Sequence, residues 1–341
     1  MLPPDKGSQL MTTQTSSQKK RVLSGMRPTG PLHLGHLLGA LYNWVRLQDE
    51  YECYYMVADW HALMSEYADP APIKGYVKEM VADWLAVGLD PERSAIFLQS
   101  RVPEHSALHL VFSMFTPLPW LERCPTYKEQ LQEVKGRDLM TYGFLGYPVL
   151  QAADILLYRA ECVPVGKDQL PHLELTREIA RRFNNFTCPI FPEPRALLAP
   201  APKLLGLDNR KMSKSYDNYI GLSDEAEDVR RKVRSMITDP ARVRLKDPGH
   251  PEVCTVFSYQ RLFNPDLLAG IEEQCRQASI GCTACKDLLS ESLVARLQPI
   301  NRRRRQWLEG DRIEKVLAAG AERARQVARE TMREVRGALG W

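Results

Sequence analysis

Residues 21–47 read RVLSGMRPTGPLHLGHLLGALYNWVRL, and the fold is decided here. Arg21 to Gly25 is a strand-length run, Met26 to His36 is a tight loop with Pro and Gly, and Leu37 to Leu47 has helical periodicity. Strand, loop and helix start in immediate succession aim backbone N–H groups and the positive end of a helix at one place, which suits an anion. Imidazoles at His33 and His36 can donate to a phosphate, and glycine at 35 lets a ligand approach the backbone closely. Taken alone, a His-x-x-His spacing fits metal binding or simple helix capping as well.

Working outward, the same alternation continues to about residue 200. Tyr54 to Ala58, Ala95 to Gln99 and Cys162 to Val165 are short β-prone runs, each followed by a helix-length amphipathic stretch. That pattern predicts an α/β chain with a Rossmann-like parallel sheet wrapped by helices. Phe191 to Pro202 holds four prolines, ends the pattern and leads into a polar loop from Asp208 to Asn218, where the domain junction is expected. Beyond Ile220 no strand pattern remains. Asp224 to Ile237 and Pro265 to Gln277 read as helices, so the second, smaller domain is expected to be mostly helical. Ile313, Val316, Leu317, Ala324, Val327, Ala328, Thr331 and Val335 form one apolar stripe, which predicts a long docked helix.

Composition sets the outer limits. At 341 residues the chain is longer than one ordinary core, and 44% apolar with 26% charged residues suits a packed globular protein. No apolar run approaches the roughly 20 residues that span a bilayer, and the N-terminus has neither an h-region nor a small-residue cleavage site, so a cytoplasmic location is expected. Residues 1–20 are polar and aperiodic and read as a disordered leader. A formal charge of +4 does not establish nucleic-acid binding; distribution matters more. Arg302 to Arg305, with Arg323, Arg325, Arg329, Arg333 and Arg336, concentrate positive charge toward the C-terminus, either for a polyanion or as a solvated face paired with Glu314, Glu322, Glu330 and Glu334.

A second motif gives the first its meaning. Lys211-Met212-Ser213-Lys214-Ser215 stands in the polar loop after the α/β half, and its two lysines can reach phosphates. In this order and separation, the two motifs resemble the HIGH and KMSKS signatures of class I aminoacyl-tRNA synthetases. Tyr147-Pro148-Val149-Leu150-Gln151-Ala152-Ala153-Asp154-Ile155-Leu156-Leu157-Tyr158 and Val163-Pro164-Val165-Gly166-Lys167-Asp168-Gln169-Leu170-Pro171-His172-Leu173-Glu174-Leu175 are similar to the tryptophanyl branch. So is the run from Trp307 to Gly340. The resemblance covers residues 21 to 340 and is least typical from about 238 to 300. It departs from the branch at His33 and His36, commonly Thr and Asn, at Gln151, commonly Met, and at Lys167, commonly Glu. These departures keep a tyrosyl enzyme, or a synthetase-like protein that binds without charging, as alternatives; the intact lysine loop argues against the latter.

What the resemblance implies is specific. ATP with Mg²⁺ is bound by Arg27, Gly30, His33, Gly35, His36, Gly166, Asp168, Met212, Ser213 and Ser215, while Lys211, Lys214 and Lys128, in Pro125-Thr126-Tyr127-Lys128-Glu129, stabilise the departing pyrophosphate. Tryptophan is bound by His61, Tyr147, Gln151, Asp154, Val163, Val165 and Gln169. Tyr147, Gln151 and Asp154 fall three or four apart and share a helix face. A carboxylate among apolar walls needs a donor, and the indole N–H is donor only, so Asp154 is the candidate indole reader. The partners implied are tRNA(Trp) and a second copy of the chain in a homodimer.

Eight cysteines without a secretion signal point to a reducing compartment. Cys254, Cys275, Cys282 and Cys285, spaced x20, x6 and x2, suit Zn²⁺ or an iron–sulfur cluster. The pattern is similar to that of tryptophanyl synthetases carrying a 4Fe-4S cluster, which the resemblance therefore implies. Cys53, Cys124, Cys162 and Cys188 are scattered and read as structural. The expected partition is 1–20 leader, 21–205 catalytic domain, 206–220 lysine loop, 221–310 helical anticodon-binding domain with the cysteine motif, and 311–341 a helix packing back on the body.

Overall fold

The computed structural model describes residues 19–124, 140–198, 204–210, 212 and 216–341. Five parallel strands, β1 (Arg21–Met26), β2 (Glu52–Val57), β3 (Ser94–Leu98), β4 (Cys162–Val165) and β5 (Arg195–Leu198), form one sheet in the order β3-β2-β1-β4-β5. The order reverses between β1 and β4. In a doubly wound sheet that switch point opens a crevice beyond the carboxyl ends of the two strands, where ligands bind.

Local chemistry widens this crevice. β1 pairs with β2 over six residue pairs but with β4 only at Val22↔Cys162. Two residues further along β4 stands Pro164, which has no N–H to give a neighbouring strand. The strands part there. β5 was not expected: the four-proline stretch reads as a break, yet Arg195–Leu198, lying between two of its proline pairs, pairs with β4 from Cys162↔Arg195 to Val165↔Leu198. Prolines are tolerated beside an edge strand because only one side of the backbone needs pairing.

Alternation along the strands builds two cores. Val22, Tyr55, Val57 and Ile96 face helices α3 (Ala71–Val87) and α10 (Cys282–Leu308), while Leu23, Tyr54, Met56 and Phe97 face α4 (Glu104–Phe115), α5 (Tyr147–Leu157) and α6 (Leu170–Phe186). The segment after β1 runs through a helical turn, Leu34–His36, and a π-helical turn, Leu37–Leu41, into α1 (Tyr42–Glu50); α2 (Asp59–Glu66) follows β2. Among the described residues every element after β5 is helical: α7 (Ala226–Ser235), α8 (Thr255–Phe263), α9 (Leu268–Arg276), α10, α11 (Arg312–Ala338) and two 3₁₀ turns.

The α11 helix is the predicted docked helix, and it crosses the sheet's edge. Ile313 and Leu317 join the first core, while Ala321, Ala324, Ala328, Met332 and Val335 join the second. Between them Gly320 lies on the backbone of β3: a Cβ there would overlap the carbonyl oxygen of Ile96 and sit 2.6 Å from its carbonyl carbon. Arg323 Nη1 then donates to the carbonyls of Pro91, at 2.8 Å, and Ser94. An edge strand that would otherwise present unpaired groups is covered.

Most of the basic residues near the C-terminus are spent internally. Arg303 donates to the Ala86 carbonyl at 2.6 Å, Arg304 pairs with Asp83 at 2.7 Å and with Glu79, and Arg305 pairs with Glu225. Three of the four glutamates of α11 also find partners, Glu314 with Arg101, Glu322 with Arg329 and Glu334 with Arg159.

Candidate active site

The HIGH-like loop is a capping structure before it is anything else. His33 is the N-cap of Leu34–His36: its Nδ1 accepts from Gly35 N at 3.1 Å, and His36 Nδ1 accepts from His33 N at 3.2 Å. Both Nδ1 atoms are therefore acceptors, and this hydrogen-bond pattern puts each ring's proton on Nε2. Two Nε2–H donors and a helix start thus stand beside β1. Glycine at 35 is required, because a Cβ would come within 2.9 Å of the His33 ring.

The lysine loop is tied to this cap. Leu34 N donates to Ile220 O, Leu222 N donates to Leu32 O, and His33 bridges Gly221 in antiparallel register. Met212 is buried, and its Sδ lies 3.6 Å from where a Gly35 Cβ would stand. Two motifs some 180 residues apart in the sequence are hence packed together. Lys211, Ser213, Lys214, Ser215 and Lys128 lie outside the described residues.

Beyond the parted ends of β1 and β4 opens a cavity of about 1320 Å³ including its mouth. Arg27, His61, Tyr147, Gln151, Asp154, Val163, Val165, Gly166 and Gln169 line it, whereas Gly30, His33, Gly35, His36, Asp168 and Met212 are not among its lining residues. Gly30, with φ 139°, makes the turn of the loop, and Gly166 admits Asp168, whose Oδ1 lies 2.5 Å from where a Cβ would be. Asp168 accepts from Gln169 Nε2 at 3.0 Å and is exposed at the rim. Tyr147 meets His61 edge-on at 4.9 Å and His172 at 5.4 Å, and burial raises its phenol above the ordinary value. Oε1 of Gln151 is buried with no hydrogen-bond partner.

Asp154, at the cavity's inner end, is 2% exposed. Its walls are less apolar than the sequence suggests. Oδ1 accepts from Gln99 Nε2 at 2.8 Å and pairs with His105 Nδ1 at 2.7 Å, and Oδ2 pairs with His61 Nε2 at 2.6 Å. Burial pushes this carboxyl up, but the two histidines outweigh it and hold the group well below the usual carboxylate range. His105 Nε2 in turn meets the Tyr158 hydroxyl at 2.7 Å. The sequence assigned no site role to Gln99, His105 or Tyr158, although Tyr158 ends the motif that begins at Tyr147. A signal was available for two of them: Gln99 follows the carboxyl end of a parallel strand, and Tyr158 lies one helical turn beyond Asp154.

Cys254, Cys275, Cys282 and Cys285 converge on a second cavity of about 320 Å³ between α8, α9 and α10. Arg242 Nη1 donates to Cys275 Sγ at 3.9 Å, and Gln260 Nε2 to Cys285 Sγ at 3.4 Å. Burial raises the Cys254 and Cys275 thiols and pushes Cys285 to about 11. Among the described residues no three His, Cys, Asp or Glu side chains form a group placed to hold a metal ion.

A doubly wound sheet with a helix start beside its switch point, and a cavity there that ends on a buried carboxylate, is the arrangement of an α/β fold that binds a ligand beyond its strand ends. The model of the family described as tRNA synthetases class I (W and Y) matches residues 15–298. The chain belongs to that family. It is 52% identical over 323 residues to the tryptophan–tRNA ligase of Thermotoga maritima, covering 94% of this chain and 98% of that one, and 44% identical to the enzyme of Aquifex aeolicus, covering 94% and 99%. Among solved structures, the tryptophanyl-tRNA synthetase of Campylobacter jejuni complexed with ADP and tryptophan is 33% identical, with a TM-score of 0.87 over 94% of this chain and all of that one.

Proposed function

We propose that this chain activates L-tryptophan with ATP and esterifies it onto tRNA(Trp), releasing diphosphate and then AMP. One observation carries the reading: Asp154 lines the same cavity as Arg27 and Gly166, so an indole reader and an ATP-facing loop share one space. The amino acid's carboxylate attacks the α-phosphorus, the bond to the bridging oxygen breaks, and diphosphate leaves. Positioning and charge stabilisation supply the acceleration, with no covalent enzyme intermediate. His33 and His36 donate to the phosphates from Nε2. Lys211, Lys214 and Lys128 are assigned to the departing diphosphate by family membership, with Met212, Ser213 and Ser215 alongside them, and Mg²⁺ accompanies ATP. Tyr147, Gln151 and Gln169 hold the amino acid's polar end, while Val163, Val165 and His61 shape the wall.

The finer assignments belong to the same proposal. The four cysteines hold a 4Fe-4S cluster, with Zn²⁺ as the alternative. Their shared cavity and the N–H donors from Arg242 and Gln260 to two sulfurs support it, since such donors stabilise thiolates. A homodimer is supported by Leu110, Met114, Leu118 and Phe186, exposed apolar side chains on and beside α4 and α6. No helix among the described residues is long and apolar enough to cross a membrane; a cytoplasmic site of action follows from the proposed role in translation. The partition into catalytic body, lysine loop, helical anticodon-binding part and returning helix stands as proposed from the sequence.

The test is ATP–diphosphate exchange on anaerobically purified protein with tryptophan, tyrosine or phenylalanine, with a visible absorption spectrum of the same preparation. Exchange with tryptophan alone is expected, together with broad iron–sulfur absorbance. Exchange with tyrosine would move the chain to the sister branch, and none at all would mean a binding protein; a colourless preparation would leave the cysteines to zinc.

A further inference from the structure

A carboxylate offers about four acceptor positions. At Asp154 three are occupied: two on Oδ1, by Gln99 and His105, and one on Oδ2, by His61. His61 and Asp154 line the cavity, whereas Gln99 and His105 do not. Oδ1 is thus held from behind, and the remaining position, on Oδ2, is on the side where substrate enters.

The donors behind are themselves fixed in direction. Gln99 Oε1 accepts from the backbone N–H of Trp60 at 3.2 Å, which turns its NH₂ toward Asp154. Because a carboxylate only accepts, a neutral His105 ring carries its proton on Nδ1, facing Oδ1, and its Nε2, 2.7 Å from the Tyr158 oxygen, then accepts from that hydroxyl. Tyr158 is in turn fully buried and stacked on Tyr54 at 4.8 Å. On the Oδ1 side nothing can accept from Asp154 unless Tyr158 and His105 both reverse; on the Oδ2 side the His61 Nδ1 has no partner, so Asp154 itself sets that ring's tautomer.

We infer that Gln99, His105 and Tyr158 are positioning residues for substrate choice: they lock Asp154 as an acceptor-only group, turned so that its one remaining lone pair takes the indole N–H. The inference rests on the reading of Asp154 as the indole acceptor. Its consequence is discrimination, because a ligand that lacks the N–H leaves a buried carboxylate position unpaired.

The test compares kcat/KM in diphosphate exchange for tryptophan and for its benzothiophene analogue, in which sulfur replaces the indole N–H. Asp154→Ala should erase the preference for tryptophan. His105→Leu should lower the tryptophan-to-analogue ratio by about tenfold or more, mostly through KM for tryptophan, and His105→Asn, which restores a donor near Nδ1, should recover most of it. Tyr158→Phe removes a single oxygen and should lower the ratio several-fold; it decides the matter if His105→Leu fails to fold. A merely structural role would depress both substrates together, so an unchanged ratio in Tyr158→Phe and in any folded His105→Leu protein overturns the relay. If Asp154→Ala also leaves the ratio untouched, the indole reading itself has failed.

Discussion

Replacing Gly320 by alanine tests how α11 is seated on the sheet. In an exposed helix, Gly→Ala gains about 1 kcal/mol of stability from backbone entropy and propensity. At position 320 the added carbon would overlap the Ile96 carbonyl oxygen and stand 2.6 Å from its carbon and 2.9 Å from its nitrogen. Carbon atoms in contact lie about 3.5–4.0 Å apart, so helix or strand must retreat by about 1 Å. Backbone meets backbone there, with no flexible side chain to yield, which puts the overpacking cost near the top of the usual range, about 3 kcal/mol. The propensity gain offsets a third of it. A net loss of about 2 kcal/mol is expected from urea unfolding followed by circular dichroism. The same helix supplies the control: Gly337 is exposed, and a Cβ there would meet nothing within 4 Å. Gly337→Ala should raise stability by about 0.5–1 kcal/mol. A Gly320→Ala protein as stable as the Gly337→Ala protein would refute the close seating of α11 on β3.

Two further outcomes follow from buried polar groups. Arg304→Met strands Asp83, whose side chain is 4% exposed, and should cost about 3 kcal/mol or more, whereas the double variant with Asp83→Leu should regain most of it in the same unfolding assay. His172 is buried with neither ring nitrogen partnered, and burial lowers it from 6.5 to about 4. Its folded value is depressed, so the unfolded chain takes up the proton first: the neutral ring's contribution is complete above pH 6.5 and is lost as pH falls toward 4, by up to about 3 kcal/mol. His172→Leu should flatten that acid limb of a stability-against-pH curve; an unchanged slope would show that the ring does not stay neutral.

The sequence was most informative where local and tertiary chemistry coincide. β4 falls where Cys162 to Val165 placed it, because a short run with two β-branched valines, ended by Gly166 and followed by a helix-length stretch, has few other uses. All seven residues assigned to the tryptophan pocket line one cavity, since helix spacing alone sets Tyr147, Gln151 and Asp154 on one face. β5 was illegible because prolines normally forbid a strand, and only the one-sided pairing of an edge makes this one permissible. The environment of Asp154 was illegible for another reason: its partners come from α2, the end of β3 and α4, and no local pattern reports a contact across 93, 55 or 49 positions. The arginine run was ambiguous on its own. Its destination on α3 depends on which face of α10 the core claims first.

The passage of α11 over the sheet's edge also bears on synthesis. The β3 edge is closed by a segment whose Arg323 lies 232 positions beyond Pro91. On the ribosome, strands β1 to β3 emerge and can pair long before their cover exists, so the nascent chain carries an open edge for most of its translation. Contacts of such separation form late and slowly. Closure of the β3 edge therefore waits until the segment carrying Arg323 has been made, and until then that edge is open to pairing with other chains.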